Sequence, residues 1–294
     1  MIGMFEKILV VVRGSDRDQP AIQRALLCAS PGARVVILDL VHEPVLDGYL
    51  GNTVIYEPLR ARVVAERRGL VENLASEVAK RGFEASGQAV WEYPLDEAVA
   101  KHARAESSDL VVLAPEMPAH GLTPTEWRLV TSCAAPVLVA GAPSKKAYRK
   151  IIAAVDPFHL HAKPAELDRS ILGYARRLAE GQAAELAVVH CYTPPEHIGG
   201  EFAGAARAEG VIRREALEKL VADAGLPTSV ARIAGGGAPH ALLRQMAARG
   251  EADLIVMGAL ARGRLEEWFI GSTAERVLTG SAADVLTVKA APQL

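Results

Sequence analysis

The chain repeats itself once, and that repeat limits its architecture more than any other feature. "KILVVVR" from Lys7 is matched by "KIIAAVD" from Lys150, "SDLVVLA" from Ser108 by "ADLIVMG" from Ala252, and "SCAAPVLVA" from Ser132 by "GSAADVLTV" from Gly280. Lys7 and Lys150 are 143 residues apart, Asp109 and Asp253 are 144 apart, and Ser132 and Gly280 are 148 apart. A long period used only twice means two duplicated domains, not a solenoid of short units. The step from 144 to 148 puts four extra residues in the second half, between its fourth strand and the helix that follows.

Each half alternates strands and helices. In the first, "KILVVV", "RVVILDLV", "DLVVLA" and "APVLVAG" read as short buried strands. "PLRARVVAERRGLVENLASEVAKRGF" reads as a long helix with Val63, Val64, Leu70, Val71, Leu74 and Val78 on its buried side and Gly82 as C-cap. The second half gives five strands, with helices beginning near Pro164, Ala208, Pro239 and Ser272. The expected fold is α/β: two tandem doubly wound, Rossmann-like domains of parallel sheet with helices on both faces. The expected domains are residues 1–143 and 149–294, joined by the polar stretch Gly141–Arg149. The apolar strands that end the two halves are expected to pair, making an intrachain pseudo-dimer. Homodimerisation of the whole chain is left open.

Composition narrows the function. Half of the residues are hydrophobic and only 5% aromatic, which suits layers of Ala, Val, Leu and Ile. A formal charge of -2 gives no electrostatic reason to bind nucleic acid. Cys28, Cys133 and Cys191 follow no pairing or C-x-x-C pattern and read as reduced thiols, as in the cytoplasm. "MIGMFEKILVVV" is expected to be a first strand, not a signal peptide, and no stretch approaches the roughly 20 apolar residues of a membrane helix.

In sheets of this class ligands bind beyond the carboxyl ends of the strands. In the second half those ends carry Asp156, then His190 and Cys191, then Met257 and Gly258. Gly258 opens the loop "GALARGRLEEWFIGST", which reaches Gly271, Ser272 and Thr273 at a helix start. Free N–H groups there would face an anion, with Arg262 and Arg264 nearby. Asp156 could accept a hydrogen bond from an adenine amine or a ribose hydroxyl. Spacing alone leaves a second reading open: "STAE" is a capping box, and a strand-end glycine serves many turns.

The order glycine, two residues, small residue, nine residues, glycine, serine (Gly258, Ala261, Gly271, Ser272) resembles the nucleotide loop of the universal stress protein family. The aspartate after strand one and "VVHCY" at strand two resemble that family too. The tandem arrangement is similar to its E-type members in Gram-negative bacteria. The resemblance implies a non-catalytic regulator that binds ATP or another adenine nucleotide, with magnesium accompanying the nucleotide. Carried over, it implicates Asp156, Cys191 through its backbone, Met257, Gly258, Ala261, Gly263, Gly271, Ser272 and Thr273. Ala261 departs from the family's glycine, and Gly263 is the nearest residue that could take up the turn.

The first half lacks this set. Arg13 stands where Asp156 does, the loop is four residues shorter, and Pro124 aligns with Ser272. Thr123 and Glu126 keep the capping box, but proline has no N–H to offer a phosphate. The expected site is therefore in the second half only. No Walker A loop or G-x-G-x-x-G is present, and His159 with His161 is the weak remaining metal pattern. Two alternatives stay open: an ATP-hydrolysing enzyme on the same fold, and a ligand-free scaffold for a protein partner.

Overall fold

The computed structural model describes residues 5–13, 19–42, 53–115, 121–141, 147–158, 165–192, 203–234, 238–259 and 272–290. They divide into two compact units, one chiefly Gly3–Pro118 with Leu122–Lys145, the other chiefly Lys146–Leu294.

The first unit runs β1 (Phe5–Val12), α1 (Pro20–Cys28), β2 (Ala29–Leu40), α2 (Thr53–Ala79), β3 (Glu84–Val90), α3 (Leu95–Ala105), β4 (Leu110–Leu113), α4 (Pro124–Ser132) and β5 (Val137–Val139). Its strands lie in the order β3-β2-β1-β4-β5, every pair parallel. The second unit runs β6 (Lys150–Ala154), α5 (Ala165–Gln182), β7 (Glu185–Cys191), α6 (Ala203–Asp223), β8 (Ala231–Ala234), α7 (Pro239–Ala248), β9 (Leu254–Gly258), α8 (Ser272–Leu278) and β10 (Asp284–Val288). Its order is β8-β7-β6-β9-β10, again all parallel. Strand order reverses beside β1 in one unit and beside β6 in the other, where a doubly wound sheet opens its crevice.

The central strands are nearly unbroken apolar runs because both faces are covered. Ile8–Val12, Leu110–Leu113, Leu254–Met257 and Val137–Val139 are wholly buried. One device fixes the strand starts in both units. Asp109, just before β4, accepts from the amides of Glu6 at 2.8 Å and Lys7 at 2.9 Å. Asp253, just before β9, accepts from those of Arg149 at 2.8 Å and Lys150 at 3.0 Å. The aspartate of the repeated "DL" thus ties the first strand of each half to its fourth.

The extra residues of the second half fall where the repeat puts them: β9 and α8 are farther apart than β4 and α4. Gly82, with φ +90°, and Gly225, with φ +69°, follow the long helices as left-handed caps. Ser107 (φ 51°) and Ala183 (φ 50°) take that conformation without being glycine. Gly250 (φ +69°) does at the end of α7 what Ser107 does at the end of α3.

Three details differ from the sequence reading. "EASGQAV" forms β3, although it is poor in β-branched residues. A Cβ on its Gly87 would lie 2.5 Å from the carbonyl oxygen of Val71, so helix backbone packs where a larger residue would stand. Helix α2 begins at Thr53 rather than near Pro58, with the proline inside it, and α6 begins at Ala203. The buried stripe of α2 holds Tyr56, Val71, Ala75 and Val78, while Leu70 lies exposed. The same side of that helix carries Arg67, drawn inward by a buried carboxylate on β2.

Candidate functional site

In the second unit, β6 lies between β7 and β9. Ala154, the last residue of β6, is level with Val189 on one side and Met257 on the other. Asp156, Cys191 and Gly258 therefore stand together at one end of three adjacent strands. Met257 is buried, so its side chain serves the core and only its main chain belongs to this rim.

The turn after β6 is built by two aspartates. Asp168, buried near the start of α5, accepts the Asp156 amide at 3.2 Å, and Asp156 Oδ1 accepts the Phe158 amide at 3.3 Å. The Asp156 side chain remains 24% exposed, so its carboxylate can reach a ligand.

Beside it sits a group that sequence reading did not find. His190 is 2% exposed, and burial in the apolar wall lowers its pKa from the ordinary value. Its Nδ1 lies 3.3 Å from the Val155 carbonyl and its Nε2 lies 3.0 Å from Arg213 Nη1. A neutral ring with the proton on Nδ1 satisfies both contacts. The Arg213 guanidinium stands 4.8 Å from the Phe158 ring centre and 4.6 Å from that of Tyr192. Glu209, one turn earlier on α6, accepts from its Nε at 3.0 Å and Nη2 at 2.7 Å. His190 and Tyr192 point one way from β7 and Cys191 the other, as strand alternation requires. Burial raises the Cys191 thiol to about 12, so it is no thiolate at neutral pH. Its members come from three elements far apart in sequence, with only the His190–Tyr192 and Glu209–Arg213 spacings local, so no sequence pattern marks the group.

Gly258 has a packing role. A Cβ there would lie 2.6 Å from Cδ2 of Leu167, a fully buried residue of α5. The space beside this glycine is thus filled from within the protein. Thr273 lies in the first turn of α8, which starts at Ser272. Ala261, Gly263, Gly271 and the side chain of Ser272 lie outside the described residues, as do His159, His161, Arg262 and Arg264. Among the described residues no group of His, Cys, Asp and Glu could hold a metal ion, and no helix is long and apolar enough to cross a membrane.

The first unit presents other chemistry at the same place. Thr123 and Glu126 form the capping box of α4, with Thr123 Oγ1 3.3 Å from the Glu126 amide and Glu126 Oε2 2.7 Å from the Thr123 amide. Arg13 reaches the other oxygen of Glu126 at 3.4 Å, and that carboxylate is 1% exposed. Asp39, level with Val12 across β1 and β2, is held by Arg67 Nε at 2.7 Å and Nη2 at 3.0 Å. Desolvation still raises the Asp39 pKa, against the lowering by Arg67 and by the charge of Arg13. The two units thus differ in charge at the same place: arginine then aspartate at the ends of β1 and β2, aspartate then a neutral histidine at the ends of β6 and β7.

A family model described as the universal stress protein family matches residues 4–140 and again 147–289. "Universal stress protein E" of Salmonella typhi is 25% identical, over 98% of this chain and 95% of that protein. Among solved structures, a functionally unknown protein, PA1789, from Pseudomonas aeruginosa PAO1 superposes with a TM-score of 0.74 at 24% identity, covering 97% of this chain and 93% of that one. A universal stress protein from Archaeoglobus fulgidus superposes with a TM-score of 0.62 at 15% identity, covering 96% of each.

Proposed function

The chain belongs to the universal stress protein family through both of its halves, and from that premise we propose that it is a regulator holding one adenine nucleotide, in the second unit only. The observation that carries this reading is the convergence of Asp156, the Cys191 main chain and Gly258 on one rim of three adjacent strands. The partly exposed carboxylate of Asp156 suits an exocyclic amine or a ribose hydroxyl, and the start of α8 would take the phosphates. Magnesium would arrive with the phosphates. The first unit is read as a binder of something else or as a structural partner, because Arg13 and Glu126 satisfy each other where the second unit offers Asp156 and a helix start.

Binding without turnover agrees with the groups nearest the rim. The Cys191 thiol stays protonated, so it is not poised as a nucleophile. We place this action in the cytoplasm, in keeping with three free thiols.

Calorimetric titration with ATP tests the reading. One nucleotide per chain is expected, and Ser272→Pro should weaken it at least tenfold while sparing α8, since proline is accepted in a first turn and already opens α4. A stoichiometry of two, or undiminished binding by Ser272→Pro, would refute the one-site assignment. Multiple turnovers of ATP at about 1 s⁻¹ would make the protein an enzyme instead.

A further inference from the structure

The guanidinium of Arg213 is planar, is stacked near two aromatic rings, and is tethered at its edges by His190 and Glu209. Only 14% of that side chain is exposed. The rings belong to Phe158, in the turn after β6 two residues past Asp156, and Tyr192, which follows Cys191 at the end of β7. A flat, delocalised, edge-donating group in contact with two aromatic faces occupies what a heterocyclic base would seek beside an acceptor such as Asp156. Building this contact took residues from two strand ends and a helix, so it is no accident of one flexible side chain.

We infer that Arg213 determines which ligands the second unit accepts, by occupying the faces of Phe158 and Tyr192 until a planar base displaces it. This inference rests on the nucleotide reading and adds to it the identity of the competitor. A base gains the two aromatic faces only as the guanidinium leaves them. Glu209 opposes the exchange, because its carboxylate grips the guanidinium from α6. A ligand with phosphates but no base has nothing to gain from those faces and loses a nearby positive charge when Arg213 is removed.

The test uses the full chain as wild type, Arg213→Ala and Glu209→Gln, titrated calorimetrically with ATP and with inorganic tripolyphosphate. Each cation–π contact is worth roughly two- to fivefold in an equilibrium constant. Arg213→Ala should therefore bind ATP about tenfold more tightly than wild type, with tripolyphosphate binding unchanged or weaker. Glu209 is 35% exposed and not part of the core, so Glu209→Gln tests the same exchange if Arg213→Ala fails to fold; it should tighten ATP about threefold. In wild type, the Arg213 Nε–H resonance should carry the ring-current shift of its two aromatic neighbours and lose it on saturation with ATP. Saturable ATP binding that leaves this resonance in place, or that is equal or weaker in both variants, overturns the inference while the nucleotide reading stands. No ATP binding by wild type or either variant overturns both. Binding by the variants alone supports the inference in its strongest form.

Discussion

Replacing Gly258 with alanine separates packing from ligand binding at the rim. The new Cβ would lie 2.6 Å from Leu167 Cδ2, 3.0 Å from Cγ and 3.2 Å from Cδ1. Leu167 is fully buried, so it has little room to withdraw. Overpacking of this kind costs about 1–3 kcal/mol. Leu167→Ala alone removes a core side chain and costs about 2–5 kcal/mol. In the double variant the added methyl enters the space the leucine left, so the two penalties should fall short of their sum by about 1–2 kcal/mol. Scanning calorimetry reads this directly, as roughly 2–4 °C per kcal/mol in a unit of this size. Strict additivity would refute the packing role of Gly258. Titrating the same proteins with ATP gives the second half of the answer. If the glycine also admits a ribose, both proteins carrying alanine at that position lose affinity, including the one whose stability is partly restored. If it serves packing alone, the double variant binds as well as Leu167→Ala does.

Other expectations follow from geometry already described. Ser107→Gly and Ala183→Gly should each raise the thermal midpoint, by up to about 1 kcal/mol of stability, because their φ angles of 51° and 50° strain a residue with a Cβ. Gly250→Ala, with open space beside it but φ +69°, should cost about 1 kcal/mol, and an unchanged midpoint would contradict the strain assigned to these caps. Arg67→Met should destabilise the first unit by about 3–5 kcal/mol, since it leaves the Asp39 carboxylate buried without its guanidinium. Asp39 already has a folded pKa above its unfolded value, so the folded state binds the proton more tightly and stability falls as pH rises through that window. Losing Arg67 raises the folded pKa further. Denaturation of the variant at successively lower pH should therefore show stability recovering as the medium becomes more acidic; a loss instead would reverse the assigned sign.

The tandem fold could be read from the sequence because its signals are local and used twice: apolar strands bounded by "DL" and glycine after a long helix. The four added residues could be placed from anchor spacing alone. β3 could not be read, because Gly87 answers to the α2 backbone and not to any strand propensity. On α2 the inward side takes in Arg67, a charged residue that turns to a carboxylate only the fold brings near, while apolar Leu70 lies exposed. At the rim, Asp156, Cys191 and Gly258 lay where the strand pattern put them. The box around Arg213 depends on distances between separate elements, for which periodicity carries no information.

The different charges at the two strand ends keep their residues from being exchanged one at a time. At the end of β1, Arg13 neutralises Glu126 and lowers the cost of a buried Asp39; Arg13→Asp would set a third carboxylate among them. At the end of β6, Asp156 lies 3.9 Å from a neutral His190 whose other edge is already taken by an arginine, so Asp156→Arg would bring two cations to one imidazole. Either single exchange sets like charges near one another until a second change repairs it. A chimera joining β1 of one half to β2 of the other inherits the mismatch at once.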